Sequence, residues 1–187
     1  PRFFIDQFVK KSEPWIRETQ QKKAQKTAEF VSETSLMLFG KIYTIEMKST
    51  PSASQIALQG NSLQILLHNA PAQSLTFDPD HFPPVLTRFF QQTATHYITQ
   101  RTATLAEKMK VSYISLQLKA MKTRWGSCSS RGNLNFNWKL VHFPPNIIDS
   151  VIVHELAHRT HMNHSAQFWE KVEQYDPEYR IHRGWLK

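Results

Sequence analysis

His154-Glu155-Leu156-Ala157-His158 is a pair of histidines with a glutamate beside the first. Histidines four residues apart lie one helical turn apart on the same face, so both imidazoles can reach a single metal ion. Glu155 can stand beside a water on that ion. Two neutral nitrogen ligands, a carboxylate base and an open coordination position form the working set for metal-assisted hydrolysis.

The flanking residues favour a buried helix. Asn146, Asp149 and Ser150 supply N-terminal helix signals, and Ile147, Ile148, Val151, Ile152, Leu156 and Ala157 supply a broad apolar surface. The motif helix is expected over about residues 147–161. Ionisable groups inside such a helix are costly unless they are paired or ligate a metal, which favours a ligand role for His154 and His158 over a chance pair of satisfied core histidines.

A third ligand is needed. His161 follows His154 by seven residues, about 10 Å along a straight helix at ~1.5 Å per residue, too far for all three to converge. His164 fits better, because Asn163 can take the left-handed conformation that ends a helix and turn the chain back. Glu170 and Glu173, on a second helix expected over about residues 165–175, are the rival ligands, or outer partners that orient a histidine. The interval from His154 to His164 is that of the metzincin signature. However, His161 stands where that signature has glycine, and no methionine follows Met162 to form its methionine turn.

Upstream, residues 3–30 read as helical, with Ser12 as a cap and a Lys-rich exposed face over residues 17–26. Short strand-like runs fill residues 36–68, punctuated by Gly40, the Ser49-Thr50-Pro51-Ser52 cluster and a tight turn at Gly60-Asn61, and read as a small antiparallel sheet or meander. A proline-rich connection over residues 71–84 leads into a long helix from about Pro84 to Met109, with Val85, Phe89, Ile98, Leu105 and Met109 along one stripe. Strands are expected over residues 111–119 and 132–140. In the latter, Leu134, Phe136 and Trp138 alternate with Asn133, Asn135 and Asn137, and it is a candidate edge strand for an extended peptide. Arg124 to Arg131 forms the loop between them. The division expected is residues 1–78, an N-terminal helix with a small β region, and residues 79–187, a metallohydrolase domain, the two forming one compact unit.

With 187 residues the chain can build one substantial core. No apolar run reaches the roughly 20 residues of a membrane span, and no signal peptide is visible. The chain starts at Pro1, which points to a fragment lacking its natural N-terminus. A single cysteine, Cys128, excludes an internal disulfide and a multi-cysteine zinc site, and fits a reducing, cytoplasmic compartment. The net charge of +8 suits polyanions such as nucleic acid or nucleotides, or simply a solvated basic surface.

Thr123-Arg124-Trp125-Gly126-Ser127-Cys128-Ser129, Asn137-Trp138-Lys139-Leu140, Pro144-Pro145, His154 to His158, Asn163-His164-Ser165 and Phe168-Trp169 occur in an order and spacing that resemble the YgjP-like metallopeptidase domain family, predicted zinc hydrolases related to SprT-like and WLM proteins. The resemblance is strongest over about residues 119–179. It implies an α+β, zincin-like fold with a small antiparallel or mixed sheet packed on the motif helix. It also implies one Zn2+ per chain on His154, His158 and His164, with Glu155 as general base. Val141-His142-Phe143 departs from the pattern, and His142 is expected at the surface.

Within these motifs Gly126 is expected to permit a turn. Arg124 can bind a carboxylate or phosphate, or else pair with Asp149 or Glu170. Asn135 and Asn137 are further candidate substrate-binding groups. Trp125, Trp138, Phe168 and Trp169 read as core, Cys128 as a packed thiol, and Tyr179, His182 and Arg124 as candidate oxyanion donors. The leading function is zinc-dependent hydrolysis of a peptide or protein substrate. The alternatives are a nucleotide or phosphoanhydride hydrolase, and a zinc module tethered to nucleic acid.

Overall fold

The structure is a computed structural model that describes residues 35–71 and 83–186. The helix and Lys-rich face expected over residues 3–30, and most of the connection over residues 71–84, lie outside the described residues.

Strands β1 (Ser35–Leu38) and β2 (Lys41–Thr50) form an antiparallel hairpin. Its two-residue turn has both φ angles positive, Phe39 at 49° and Gly40 at 79°, the geometry that matches the twist of paired strands. Strands β3 (Gln55–Gln59) and β4 (Ser62–His68) form a second hairpin around Gly60-Asn61. The sheet order is β1-β2-β4-β3 with β2 and β4 parallel, Ile45 facing Leu63 and Met47 facing Ile65. The sheet is therefore mixed, not the antiparallel meander expected. The chain crosses from β2 to the far edge, makes β3 there, and returns β4 to the middle. That order sinks Leu63 and Ile65 into the core beside Leu36 and Leu38.

Helix α1 spans Pro84–Met109, with proline in its first turn and Lys110 as a left-handed cap at φ 55°. Its buried row is Leu86, Phe90, Ala94, Ile98, Thr102, Leu105 and Met109, while Val85 and Phe89 are only half-buried. The apolar pairs 85/86 and 89/90 satisfy either phase of the helix. The stacking of Phe90 on Trp138, centroids 6.2 Å apart, accompanies the phase adopted.

Strands β5 (Ser115–Lys119), β6 (Gly126–Cys128) and β7 (Asn133–Asn137) form a second mixed sheet, order β5-β7-β6. Strand β7 is thus the middle strand, parallel to β5 and antiparallel to β6, and not an edge. It also ends earlier than the alternation suggests. Asn137 Oδ1 accepts from the Lys139 amide at 3.2 Å, starting a short 3₁₀ helix, Trp138–His142. In that helix His142 is buried, not at the surface. Its Nδ1 donates to the Met37 carbonyl at 3.0 Å, and its ring meets Phe90 edge-on at 4.8 Å.

Helices α2 (Pro145–Ala157), α3 (Ala166–Tyr175) and α4 (Tyr179–Trp185) complete the fold. Helix α4 was not foreseen. The result is a mixed α+β architecture with two small mixed sheets and four α-helices among the described residues. One hydrophobic cluster runs from Leu36 and Ile65 through α1 to Ile148, Ile152 and Phe168. The β1–β2 turn touches α2 directly, because Gly40 lies where a Cβ would meet Pro144 at 3.3 Å.

Candidate metal centre

Helix α2 stops at Ala157, sooner than expected, and His158 is its last helical-conformation residue at φ −63° and ψ −13°. A tight turn follows, with Thr160 and His161 amides donating to the Ala157 carbonyl at 3.1 and 3.0 Å. Asn163 is not among the residues of positive φ, so the chain reverses through the early helix end and not through a left-handed asparagine. Ser165 then caps α3, its Oγ accepting from the Phe168 amide at 3.4 Å.

This reversal brings His164 back over α2. His154, His158 and His164 each offer a ligand atom, all within 4.8 Å of one another. His154 Nε2 and His164 Nε2 stand 3.2 Å apart. That matches the edge of a tetrahedron whose metal–nitrogen bonds are about 2.0–2.1 Å long, roughly 3.3 Å. His158 donates from Nδ1 to the His161 carbonyl at 3.1 Å, which fixes the ring and leaves Nε2 for a metal. The contribution of His161 is therefore its backbone oxygen. Burial above all, then the electrostatic influence of His158, His164 and Arg183, pushes His154 down to about 3. Burial also lowers His158. The shift in both rings favours the neutral form, the one that ligates a metal.

The floor of the cluster is Phe168, fully buried, with its ring centroid 5.0, 4.6 and 4.7 Å from those of His154, His158 and His164. Trp169 stacks on the exposed His164 at 5.6 Å and on Tyr179 at 5.2 Å. Tyr179 belongs to α4, so the unforeseen helix supports the third histidine through two rings.

Glu155 is 6% exposed. It lies against Gly126 of β6, where an added Cβ would stand 2.6 Å from Oε1. The glycine thus provides room for the carboxylate and not a turn, since Gly126 is not among the glycines of positive φ. Burial pushes Glu155 up to about 8, against the opposing charge of Arg124. Arg124 is exposed, and its guanidinium has no ion pair among the described residues. Asp149 is taken by Arg101 in a two-pronged bond, both contacts 2.7 Å.

The other expected residues fall around this centre. Asn135 donates to Ser127 Oγ at 3.3 Å across β6 and β7. Asn137 is buried and donates to the Met121 and Arg124 carbonyls at 2.8 and 3.4 Å, so its amide holds the loop that carries Arg124. His182 is engaged at both nitrogens, donating to Asp176 at 2.8 Å and accepting from Asn146 at 3.1 Å. Glu173 pairs with Arg180, and neither it nor Glu170 belongs to the histidine cluster. The thiol of Cys128 is raised by burial and contacts the Ser129 carbonyl at 3.4 Å, as a packed residue does.

Arg159 was missed by sequence reasoning. It donates to the carbonyls of Ser112, Ser129 and Ser130 and passes over Gly132, whose Cβ would meet its guanidinium at 2.9 Å. The residue after the second histidine therefore clamps the β6–β7 turn. The signal available was a glycine of unknown purpose at Gly132. No helix among the described residues is long and apolar enough to cross a membrane.

A family model described as YgjP-like, metallopeptidase domain, matches residues 1–187. Among solved structures, the chain is similar to the metallopeptidase zymogen jannalysin of Methanocaldococcus jannaschii, with 22% identity and a TM-score of 0.43 over 48% of this chain and 92% of that one. It is also similar to the zymogen abylysin of Pyrococcus abyssi, with 17% identity and a TM-score of 0.41 over 48% and 96%. A comparison with curated proteins gives no match.

Proposed function

The chain belongs to the YgjP-like metallopeptidase domain family, and from that membership we propose a zinc-dependent peptidase of zincin-like build. Family membership makes it a metal-dependent hydrolase. The residue roles are our reading of the site, carried by one observation: three imidazoles, two from the end of α2 and one from the turn after it, converge beside the buried carboxylate of Glu155.

His154, His158 and His164 would hold the ion, and as neutral nitrogen donors they suit zinc. When bound, zinc polarises a carbonyl and lowers the pKa of a coordinated water from 15.7 toward about 7. Burial raises Glu155 to about 8 and so favours its protonated form; a nearby divalent cation favours its carboxylate form. As carboxylate, Glu155 takes the proton of the attacking water and returns it to the leaving amine. Gly126 keeps the carboxylate in place, and Asn137 holds the loop from which Arg124 reaches substrate. The substrate chain pairs along the outer edge of β6, next to Glu155, a role first expected for β7. Membership in a metallopeptidase family favours a peptide substrate over the nucleotide-hydrolase and nucleic-acid readings drawn from net charge.

The test is hydrolysis of a quenched-fluorescent peptide mixture by zinc-loaded protein, with chelator and Glu155→Gln as controls. Chelation should abolish turnover and zinc should restore it. Glu155→Gln should bind one zinc and lose on the order of 10³-fold in kcat. Normal turnover by that variant would rule out Glu155 as the base.

A further inference from the structure

Beside the histidine cluster lies a positive charge with no counter-charge among the described residues. The Arg183 guanidinium sits 4.8 Å over the Trp169 ring, and that ring lies 5.6 Å from His164 and 5.8 Å from His154. Arg180, one turn earlier on α4, is different. It stacks on Tyr179 at 4.8 Å and pairs with Glu173 at 3.2 Å. Arg101 likewise has Asp149, and Arg159 has three carbonyls. For the Arg183 guanidinium there is no carboxylate or carbonyl partner among the described residues. An arginine stacked on an aromatic face keeps its planar fork of donors available while losing rotamer freedom in advance. Such a group next to a reaction centre is prepared for an anion that arrives with the substrate.

We infer that Arg183 is a specificity-determining residue that binds a carboxylate of the substrate, through a guanidinium held on Trp169 beside the histidine cluster. The carboxylate is either an acidic side chain near the scissile bond or the substrate's own C-terminus. This rests on the peptidase reading above. It also gives a function to part of the positive balance of the chain. Arg124, exposed two residues before the Gly126 that abuts Glu155, adds a second positive charge, so an anionic substrate segment is favoured over a basic one.

The experiment uses zinc-loaded Glu155→Gln protein, so that binding is read without turnover. Fluorescence anisotropy measures Kd for peptides that carry one Glu, Gln or Lys scanned through each position, each made with a free and an amidated C-terminus. The expected result is about tenfold tighter binding of one carboxylate-bearing set, lost on adding Arg183→Gln and partly kept with Arg183→Lys. Arg180→Gln, on the same helix, should leave the preference intact. A preference at one internal position assigns an acidic side chain; a preference for free over amidated ends assigns the C-terminus. In otherwise wild-type protein the same preference should appear in KM and leave kcat nearly unchanged. Equal affinity for Glu, Gln and amidated peptides, or a preference that survives Arg183→Gln, overturns the inference. Charge-selective binding that depends on Arg183, without hydrolysis of any peptide by the wild-type protein, would uphold it and reject the peptidase reading instead.

Discussion

Glu155 and Gly126 occupy adjoining space so tightly that a methyl group on Gly126 would lie 2.6 Å from Oε1 and 2.7 Å from Cγ of the glutamate. The carboxylate cannot retreat into α2, whose neighbouring Ile152 and Leu156 are fully buried. It can only swing outward. Gly126→Ala should therefore cost about 1–3 kcal/mol of stability through overpacking and about 100-fold in kcat, because the displaced base no longer meets its proton. Zinc binding should stay at one ion per chain. Denaturant titration, peptide turnover and metal analysis together check this; full activity in a folded Gly126→Ala protein would show that β6 does not position Glu155.

Ligand linkage follows from the same centre. Zinc held by the folded cluster and not by a spread-out chain should, at free zinc about 100 times Kd, add about 2.7 kcal/mol of stability. For a chain of this length that corresponds to a rise in Tm of roughly 5–10 °C. His154→Ala, His158→Ala and His164→Ala should each remove most of that rise. His161→Ala should keep it, because the group that holds His158 is the His161 carbonyl. Scanning calorimetry with and without zinc separates these outcomes, and a zinc-induced rise in Tm that survives loss of His164 would assign the third ligand elsewhere.

Trp169 bears on the proposed ligand that is least held by the backbone. His164 is exposed and lies past the end of α2, so its orientation depends on the Trp169 ring at 5.6 Å, itself backed by Tyr179. Trp169→Leu should weaken zinc binding 10- to 100-fold, the range typical of lost outer support. Competition with a chromophoric chelator measures it. Trp138→Leu, a core change remote from the histidines in the 3₁₀ helix, should lower stability with little effect on zinc affinity.

The extent to which the chain could be read in advance follows from where each signal resides. A histidine pair at helical spacing is local, and so is a proline at the start of α1; both were legible because the information lies within a turn or two. Reach along the chain pointed to His164, which does converge on the pair, but the stated cause was wrong. Asn163 is not left-handed, and α2 simply ends at Ala157. Strand order was not legible: β7 alternates like an exposed edge, yet it is paired on both sides, with β6 through a local hairpin and with β5 in parallel across the intervening β6 segment. The phase of α1 was ambiguous between 85/89 and 86/90, since both pairs are apolar. Gly126 and Gly132 each leave room for a side chain more than 25 residues later, a relation that pairwise spacing in sequence does not reveal.

His142 gives the pH dependence. Sequence placed it at the surface, whereas the structure buries it against Met37, Phe90 and Trp138. Burial pushes it down from 6.5 to about 4. Between those values the unfolded chain takes up a proton that the folded chain does not, so stability falls as pH drops from about 6.5 toward 4 and is unaffected by this group at higher pH. The loss from this residue between pH 7 and pH 5 is roughly 2 kcal/mol. His154 in metal-free protein acts in the same direction, so the contribution of His142 must be taken as a difference. His142→Asn keeps a donor toward the Met37 carbonyl and cannot ionise. Its absolute stability will be lower because the side chain is smaller, but its urea midpoint should decline less steeply on acidification. Parallel pH profiles for His142→Asn and wild type would show that this imidazole is not held neutral in the fold.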